Sequence, residues 1–143
     1  LKSNGRSGGT TNLYFDNGNI SFEDLLKSNS KHIYVTEGPL DSLFLDNCIA
    51  DGGDDLTLDS KINPEKVTYI FDNEPRNKEI IQRMEKIIDL GYNIFIWPED
   101  IQLKDVNDLI MTGVSKLQLD EIISINTYSK LSAKQALVNF KKI

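Results

Sequence analysis

The stretch VTYIFDNEPRNKE, residues 67–79, decides the fold that this sequence predicts. Its first five residues are all β-branched or aromatic, which is typical of a buried strand. The strand ends on Asp72, and Pro75 then restarts the chain as a helix, because its fixed φ suits the first helical position. Apolar residues recur at helical spacing from there to Gly91. The stretch therefore predicts a strand, an acidic turn and a helix in succession.

The same design occurs earlier in the chain. Residues 33–36 form an apolar strand that ends on Glu37, and Gly38-Pro39 leads into a predicted helix over residues 39–46, with Asp41 in its first turn. Further strands are predicted at residues 47–50 and 93–97, and further helices near residues 105–113, 115–123 and 132–142. Strands that alternate with helices predict an α/β fold, with a mostly parallel four-stranded sheet, helices on both faces and a helical C-terminal extension.

The length of 143 residues suits a single core domain. We expect residues 1–30 to be a linker and short helix, residues 31–113 to form the domain, and residues 114–143 to add helices that pack on it. The polar, glycine-rich first dozen residues, which begin on Leu1, lead us to expect a fragment of a longer chain.

Composition excludes several classes of protein. One cysteine, Cys48, and one histidine, His32, rule out an internal disulfide and a Cys/His zinc site built from this chain alone. A net charge of −6, with nineteen acidic and eight basic residues between Glu37 and Glu121, argues against general coating of nucleic acid. No apolar run is long enough for a membrane span, so we expect a soluble, cytoplasmic protein without a membrane partner.

Three carboxylates follow two predicted parallel strands. Glu37 ends the first strand, while Asp72 and Glu74 end the strand at residues 67–71, with a period-two spacing that can point both toward one site. Ligands bind at the carboxyl ends of strands in open α/β sheets. Crowded carboxylates need a cation, and hard oxygen ligands suit Mg²⁺ or Mn²⁺. The alternative is a set of solvated loop carboxylates.

Cations and further polar residues are predicted at the same edge. Arg76 and Lys78 fall at a helix amino terminus, where they favour phosphate binding, although an exposed helix face explains them equally well. Another loop enters the helix near residue 105 and could extend the metal shell or hold a triphosphate; its polar residues are Lys104, Asp105, Asn107 and Asp108. The alternatives are that Asp105 caps its helix and that Asp108 is a solvated first-turn acid.

These motifs carry a resemblance. Glu37-Gly38-x-x-Asp41 with Asp72-x-Glu74 resembles the TOPRIM domain of bacterial-type primases, topoisomerases and some nucleases. The segments EGPLDSLFLDN, IFDNEPRN and KDVNDLI are similar to those of the DNA primases of T4-like bacteriophages, over roughly residues 33–113.

The resemblance implies a Mg²⁺-dependent nucleotidyltransferase that joins ribonucleotides into short RNA primers on single-stranded DNA during phage replication. It implies that Glu37, Asp72 and Glu74 are catalytic and bind the metal, and that Asp41 supports them. It also implies ribonucleoside triphosphates, a single-stranded DNA template and a replicative helicase as partners in a primosome, in the host cytoplasm.

Two other functions stay open. A TOPRIM nuclease or topoisomerase would use the same acids to cleave DNA. A receiver-like signalling domain, which is not an enzyme, also carries acids at strand ends of a doubly wound sheet.

Overall fold

The computed structural model describes residues 32–38, 45, 48–50 and 63–143. The predicted linker, Asp41 and the predicted helix over residues 39–46, apart from Leu45, lie outside the described residues. The strands of the described part are β1 (Ile33–Thr36), β2 (Cys48–Ala50), β3 (Val67–Ile70), β4 (Asn93–Phe95) and β5 (Thr127–Tyr128). Its helices are a 3-10 turn (Pro64–Lys66), α1 (Lys78–Asp89), α2 (Val106–Met111), α3 (Lys116–Ile125) and α4 (Lys130–Phe140).

The described strands form one sheet in the order β2-β1-β3-β4-β5. The first four are parallel, with Val35 opposite Tyr69 and Tyr69 opposite Ile94, whereas β5 runs antiparallel to β4. The predicted α/β fold with an open, mostly parallel sheet is confirmed. The sequence did not predict β5, because a strand of two residues is too short to show a period-two pattern.

The core lies around β3, whose four residues are all buried. A parallel strand at the centre of a sheet is covered on both faces and is therefore apolar on both. One face of α1 is buried as well, through residues that recur at helical spacing: Ile80, Ile81, Met84, Ile87 and Ile88.

The start of α1 differs from the prediction. The helix begins at Lys78, because the side-chain oxygen of Asn77 accepts hydrogen bonds from the backbone N–H groups of Glu79 (3.0 Å) and Ile80 (3.3 Å). Pro75 and Arg76 form a turn before the helix. The predicted placement of Arg76 within the first helical turn is therefore wrong, and the acidic turn is longer than expected.

The C-terminal helix α4 packs against α1 and against strands β4 and β5. It buries Ala133, Leu137 and Phe140. Beyond its end, the backbone N–H of Lys142 donates a 2.9 Å hydrogen bond to the carbonyl of Pro75. The end of α4 is thereby tied to the turn that follows β3.

Candidate functional site

The structure brings Glu37 and the acidic loop, which we define as residues 72–77, together at one edge of the sheet. Glu37 follows β1, Asp72 lies two residues beyond β3, and the two strands are parallel neighbours, with Thr36 opposite Ile70. The backbone N–H of Asp72 donates a 3.0 Å hydrogen bond to Glu37 Oε1. The Glu37 side chain is 17% exposed. Its carboxylate therefore holds the first residue of the acidic loop.

Arg83 on α1 binds the other oxygen of the same carboxylate. Its Nη1 donates a 2.9 Å hydrogen bond to Glu37 Oε2, and its Nη2 lies 3.8 Å from Glu79 Oε1. Sequence reasoning missed Arg83. Its spacing could have indicated this partner, because Arg83 lies three residues after Ile80 and four before Ile87 and so falls on the buried stripe of α1. That helix follows a strand that ends in acidic residues.

Asp72 and Glu74 are half-buried, and the loop bends tightly between them. The N–H of Glu74 donates to the carbonyl of Asp72 (2.9 Å), while Asn77 Nδ2 lies 3.4 Å from Glu74 Oε1. Within residues 32–38, 45, 48–50 and 63–143, no group of three or more His, Cys, Asp or Glu side chains is placed to hold a metal ion.

The donor chemistry of this loop nevertheless fits Mg²⁺. That ion keeps several waters and binds through one or two carboxylates together with substrate phosphates, so it needs no cage of three protein ligands. Asp72 and Glu74 supply two carboxylates with hard oxygens. Glu37 accepts one hydrogen bond at each oxygen, from the Asp72 amide and from Arg83, and each oxygen keeps a second lone pair for a metal or a proton.

A second loop lies beside the acidic loop. Asn73 Nδ2 donates to the carbonyls of Ile101 (3.0 Å) and Leu103 (2.8 Å), and the Asn73 N–H donates to the carbonyl of Lys104 (2.6 Å). Trp97 Nε1 donates a 2.8 Å hydrogen bond to the carbonyl of Phe71. Residues 101–104 are thus fastened to the residues that carry the acids.

The remaining predicted site residues fall into two groups. Asp105 is the N-cap of α2, with Oδ1 accepting from the N–H of Asp108 at 2.8 Å, so it takes the structural role that the sequence left as an alternative. Asn107 and Asp108 are half-buried in the first turn of α2. The exposed cations Arg76, Lys78 and Lys104 form no ion pair with any other described residue.

Fold and site together define an open, mostly parallel α/β domain whose strand ends present carboxylates, beside loops with exposed cations. Compared with known proteins, the chain is 38% identical over 113 residues to the DNA primase of Enterobacteria phage T4, a match that covers 78% of this chain and 33% of that protein. It spans about a third of that relative's length. No family model matches, and no helix of the described part could cross a membrane.

Proposed function

We propose that this chain is the TOPRIM catalytic domain of a Mg²⁺-dependent DNA primase, a nucleotidyltransferase that joins ribonucleotides into short RNA primers on single-stranded DNA during phage replication. The observation that carries the proposal is the hydrogen bond from the Asp72 amide to Glu37. It joins the acidic ends of two neighbouring strands, in a chain similar to a DNA primase.

Asp72 and Glu74 would hold the Mg²⁺, or Mn²⁺ in its place. When bound, the metal supplies a positive centre that stabilises charge on the attacking and leaving oxygens of phosphoryl transfer. Glu37 positions the acidic loop through the Asp72 amide. Arg83 in turn orients the Glu37 carboxylate, because it binds the oxygen that the amide leaves open. The acidic loop is thereby held in one geometry before the substrate binds. This lowers the entropy that is lost when the reacting groups are positioned for the transition state.

A base must accept the proton of the attacking hydroxyl. We assign this role to Glu37, because its carboxylate lies at the same edge while ligation of the metal is left to Asp72 and Glu74. Asp41, outside the described residues, stays a predicted supporting acid.

Exposed cations at the same edge would bind the triphosphate of the incoming nucleotide. Arg76 lies in the acidic loop and Lys78 is the first residue of α1. Lys104 lies next to the acidic loop, because its carbonyl accepts a hydrogen bond from the backbone N–H of Asn73. None of the three is neutralised by a carboxylate of another described residue. Asn107 would add a polar contact from α2. Single-stranded DNA is the proposed template and a replicative helicase the proposed partner in a primosome.

The decisive experiment separates joining from cleavage. The native protein that contains this chain is incubated with Mg²⁺, single-stranded DNA and labelled ribonucleotides, and in parallel with a labelled duplex. We expect Mg²⁺-dependent synthesis of short ribonucleotide products and no duplex cleavage. Cleavage of the duplex without synthesis would contradict the proposal and favour the TOPRIM nuclease; EDTA is the control for both reactions.

A further inference from the structure

A cavity of about 730 Å³ lies between the acidic loop, the segment after β4 and helix α4. This volume falls within the range of about 300 to 1,000 Å³ that is usual for small-molecule sites. The acidic loop contributes Asn73, Pro75 and Arg76 to its wall. Neither Asp72 nor Glu74 lines the cavity, but Arg76, which follows Glu74 by two residues in the same loop, does.

The walls offer aromatic surface and amide groups together. Trp97 and Tyr128 line the cavity. Trp97 is only 4% exposed, with its Nε1 hydrogen-bonded to the Phe71 carbonyl, so the half-buried Tyr128 offers more of the aromatic surface. From α4, the exposed side chains of Gln135 and Asn139 line it too. Neither of these amides has a hydrogen-bond partner among the other described residues. A side-chain amide both donates and accepts, as the polar edge of a nucleobase does, and aromatic rings stack on the faces of bases.

Charge at the cavity favours an anionic ligand. Arg76 and Lys142 line it, against the single acid Glu99. The Lys142 backbone is tied to the Pro75 carbonyl, which keeps the end of α4 against the acidic loop. A ligand with a planar, hydrogen-bonding part and an anionic tail therefore matches this surface, which runs from α4 to Arg76 in the acidic loop.

We propose that this cavity holds the base and ribose of a ribonucleoside triphosphate whose phosphates lie at the acidic loop. The inference rests on the proposed function and deepens it, because it assigns recognition of the nucleoside to α4. Gln135 and Asn139 contact an edge of the base that does not pair with the template, Trp97 and Tyr128 wall the base, and Arg76 contacts the phosphates.

The first test uses the single tryptophan of the chain as a reporter. Each of the four ribonucleoside triphosphates, and inorganic tripolyphosphate, is titrated with Mg²⁺ into the 143-residue chain, and the indole N–H resonance of Trp97 is followed by NMR. At least one nucleotide should move this resonance, whereas tripolyphosphate at the same saturation should not. No shift with any nucleotide, or an equal shift with tripolyphosphate, would overturn the inference.

The second test replaces both side-chain amides by the apolar side chain of leucine, which can form no hydrogen bond. The double variant Gln135→Leu and Asn139→Leu should weaken nucleotide binding about tenfold, the loss expected for a pair of hydrogen bonds to a base. Its affinity for tripolyphosphate should stay within about twofold of the parent's, a difference that carries little binding energy. The matched control is Gln82→Leu, an exposed glutamine on α1 that does not line the cavity. Equal nucleotide affinity of the double variant and the control would overturn the inference.

Failure of this inference is distinguishable from failure of the proposed function. In the primer-synthesis assay, the double variant should raise the KM for ribonucleotide about tenfold and leave kcat within about twofold. The reason is that contacts to the nucleoside stabilise the bound substrate and the transition state equally. Synthesis with an unchanged KM would refute the cavity assignment and leave the primase proposal standing. Binding of nucleotide in this cavity without any primer synthesis would support the cavity assignment and refute the primase proposal.

Discussion

The backbone N–H of Asp72 hydrogen-bonds to the side chain of Glu37 at 3.0 Å, across 35 residues of sequence. The parallel pairing of β1 with β3 makes this contact possible, because it places Thr36 opposite Ile70 and brings the next residues of both strands to one edge. Glu37 thus has a structural task that is separate from chemistry. It holds the acidic loop in place, and Arg83 completes the arrangement at the other oxygen.

Arg83→Met should destabilise the fold by about 1 to 2 kcal/mol, because it leaves a mostly buried carboxylate without its charged partner. Thermal unfolding of the chain should show this as a fall in Tm of roughly 2 to 8 °C. The matched control is Glu79→Gln, which removes the other carboxylate near Arg83; Glu79 is 77% exposed and 3.8 Å away. It should change stability by less than about 0.5 kcal/mol. Equal effects of the two substitutions would contradict the assigned role of Arg83.

Asn73→Ala should loosen residues 101–104 from the acidic loop, because it removes both side-chain hydrogen bonds to the carbonyls of Ile101 and Leu103. Amide hydrogen exchange should quicken around both loops, and primer synthesis should fall. Asn93→Ala serves as the control, since Asn93 Nδ2 likewise donates to a carbonyl, that of Glu65, at 2.9 Å. It removes one such contact at the first residue of β4 and should leave synthesis unchanged. If both variants synthesise primers at the parental rate, the Asn73 contacts do not support the site.

The stability of the fold should depend on pH through His32. Burial lowers the pKa of His32 below its ordinary 6.5. Although the residue is exposed as a whole, its Nε2 shares a 2.6 Å hydrogen bond with the hydroxyl of Thr68, a residue that is 1% exposed. The unfolded chain therefore takes up a proton more readily than the folded chain. Stability should fall as the pH drops from 6.5 through the lower folded pKa.

His32→Gln removes the titrating group and keeps a side chain that can reach the Thr68 hydroxyl. Between pH 7 and pH 5, the Tm of the parent should fall further than that of the variant, since carboxylates contribute equally to both. Parallel Tm curves for the two proteins across this range would contradict the expected shift.

Much of this architecture could be predicted from local sequence. The β-branched and aromatic run at residues 67–71 predicted β3, and the periodic isoleucines predicted α1. The predicted start of α1 at Pro75 was wrong, because two local sequence rules favour different first residues. Pro75 suits a first helical position, but Asn77 offers a side-chain oxygen to two backbone N–H groups, and this cap sets the boundary.

The contacts that organise the candidate site were less predictable. Glu37 and Arg83 are 46 residues apart, so their ion pair depends on how α1 packs against the sheet. Nor could the spacing of acids show that α4 would fold back and wall a cavity next to Arg76. Local sequence patterns place residues at an edge of the sheet, whereas tertiary packing determines which of these residues form hydrogen bonds or ion pairs with the rest of the protein.

The central claim is that Asp72 and Glu74 would hold the Mg²⁺ on which the joining of nucleotides depends. It is tested most directly by the rate of Mg²⁺-dependent primer synthesis in the native protein carrying Asp72→Asn. The matched control is Asp100→Asn, an exposed aspartate on the loop after β4. We predict that Asp72→Asn lowers the rate by about 100-fold or more, as expected when transition-state charge loses its stabilising partner, with circular dichroism unchanged. The control should keep the parental rate. Synthesis by Asp72→Asn within about tenfold of the parent, less than about 1.4 kcal/mol of lost stabilisation, would contradict the account.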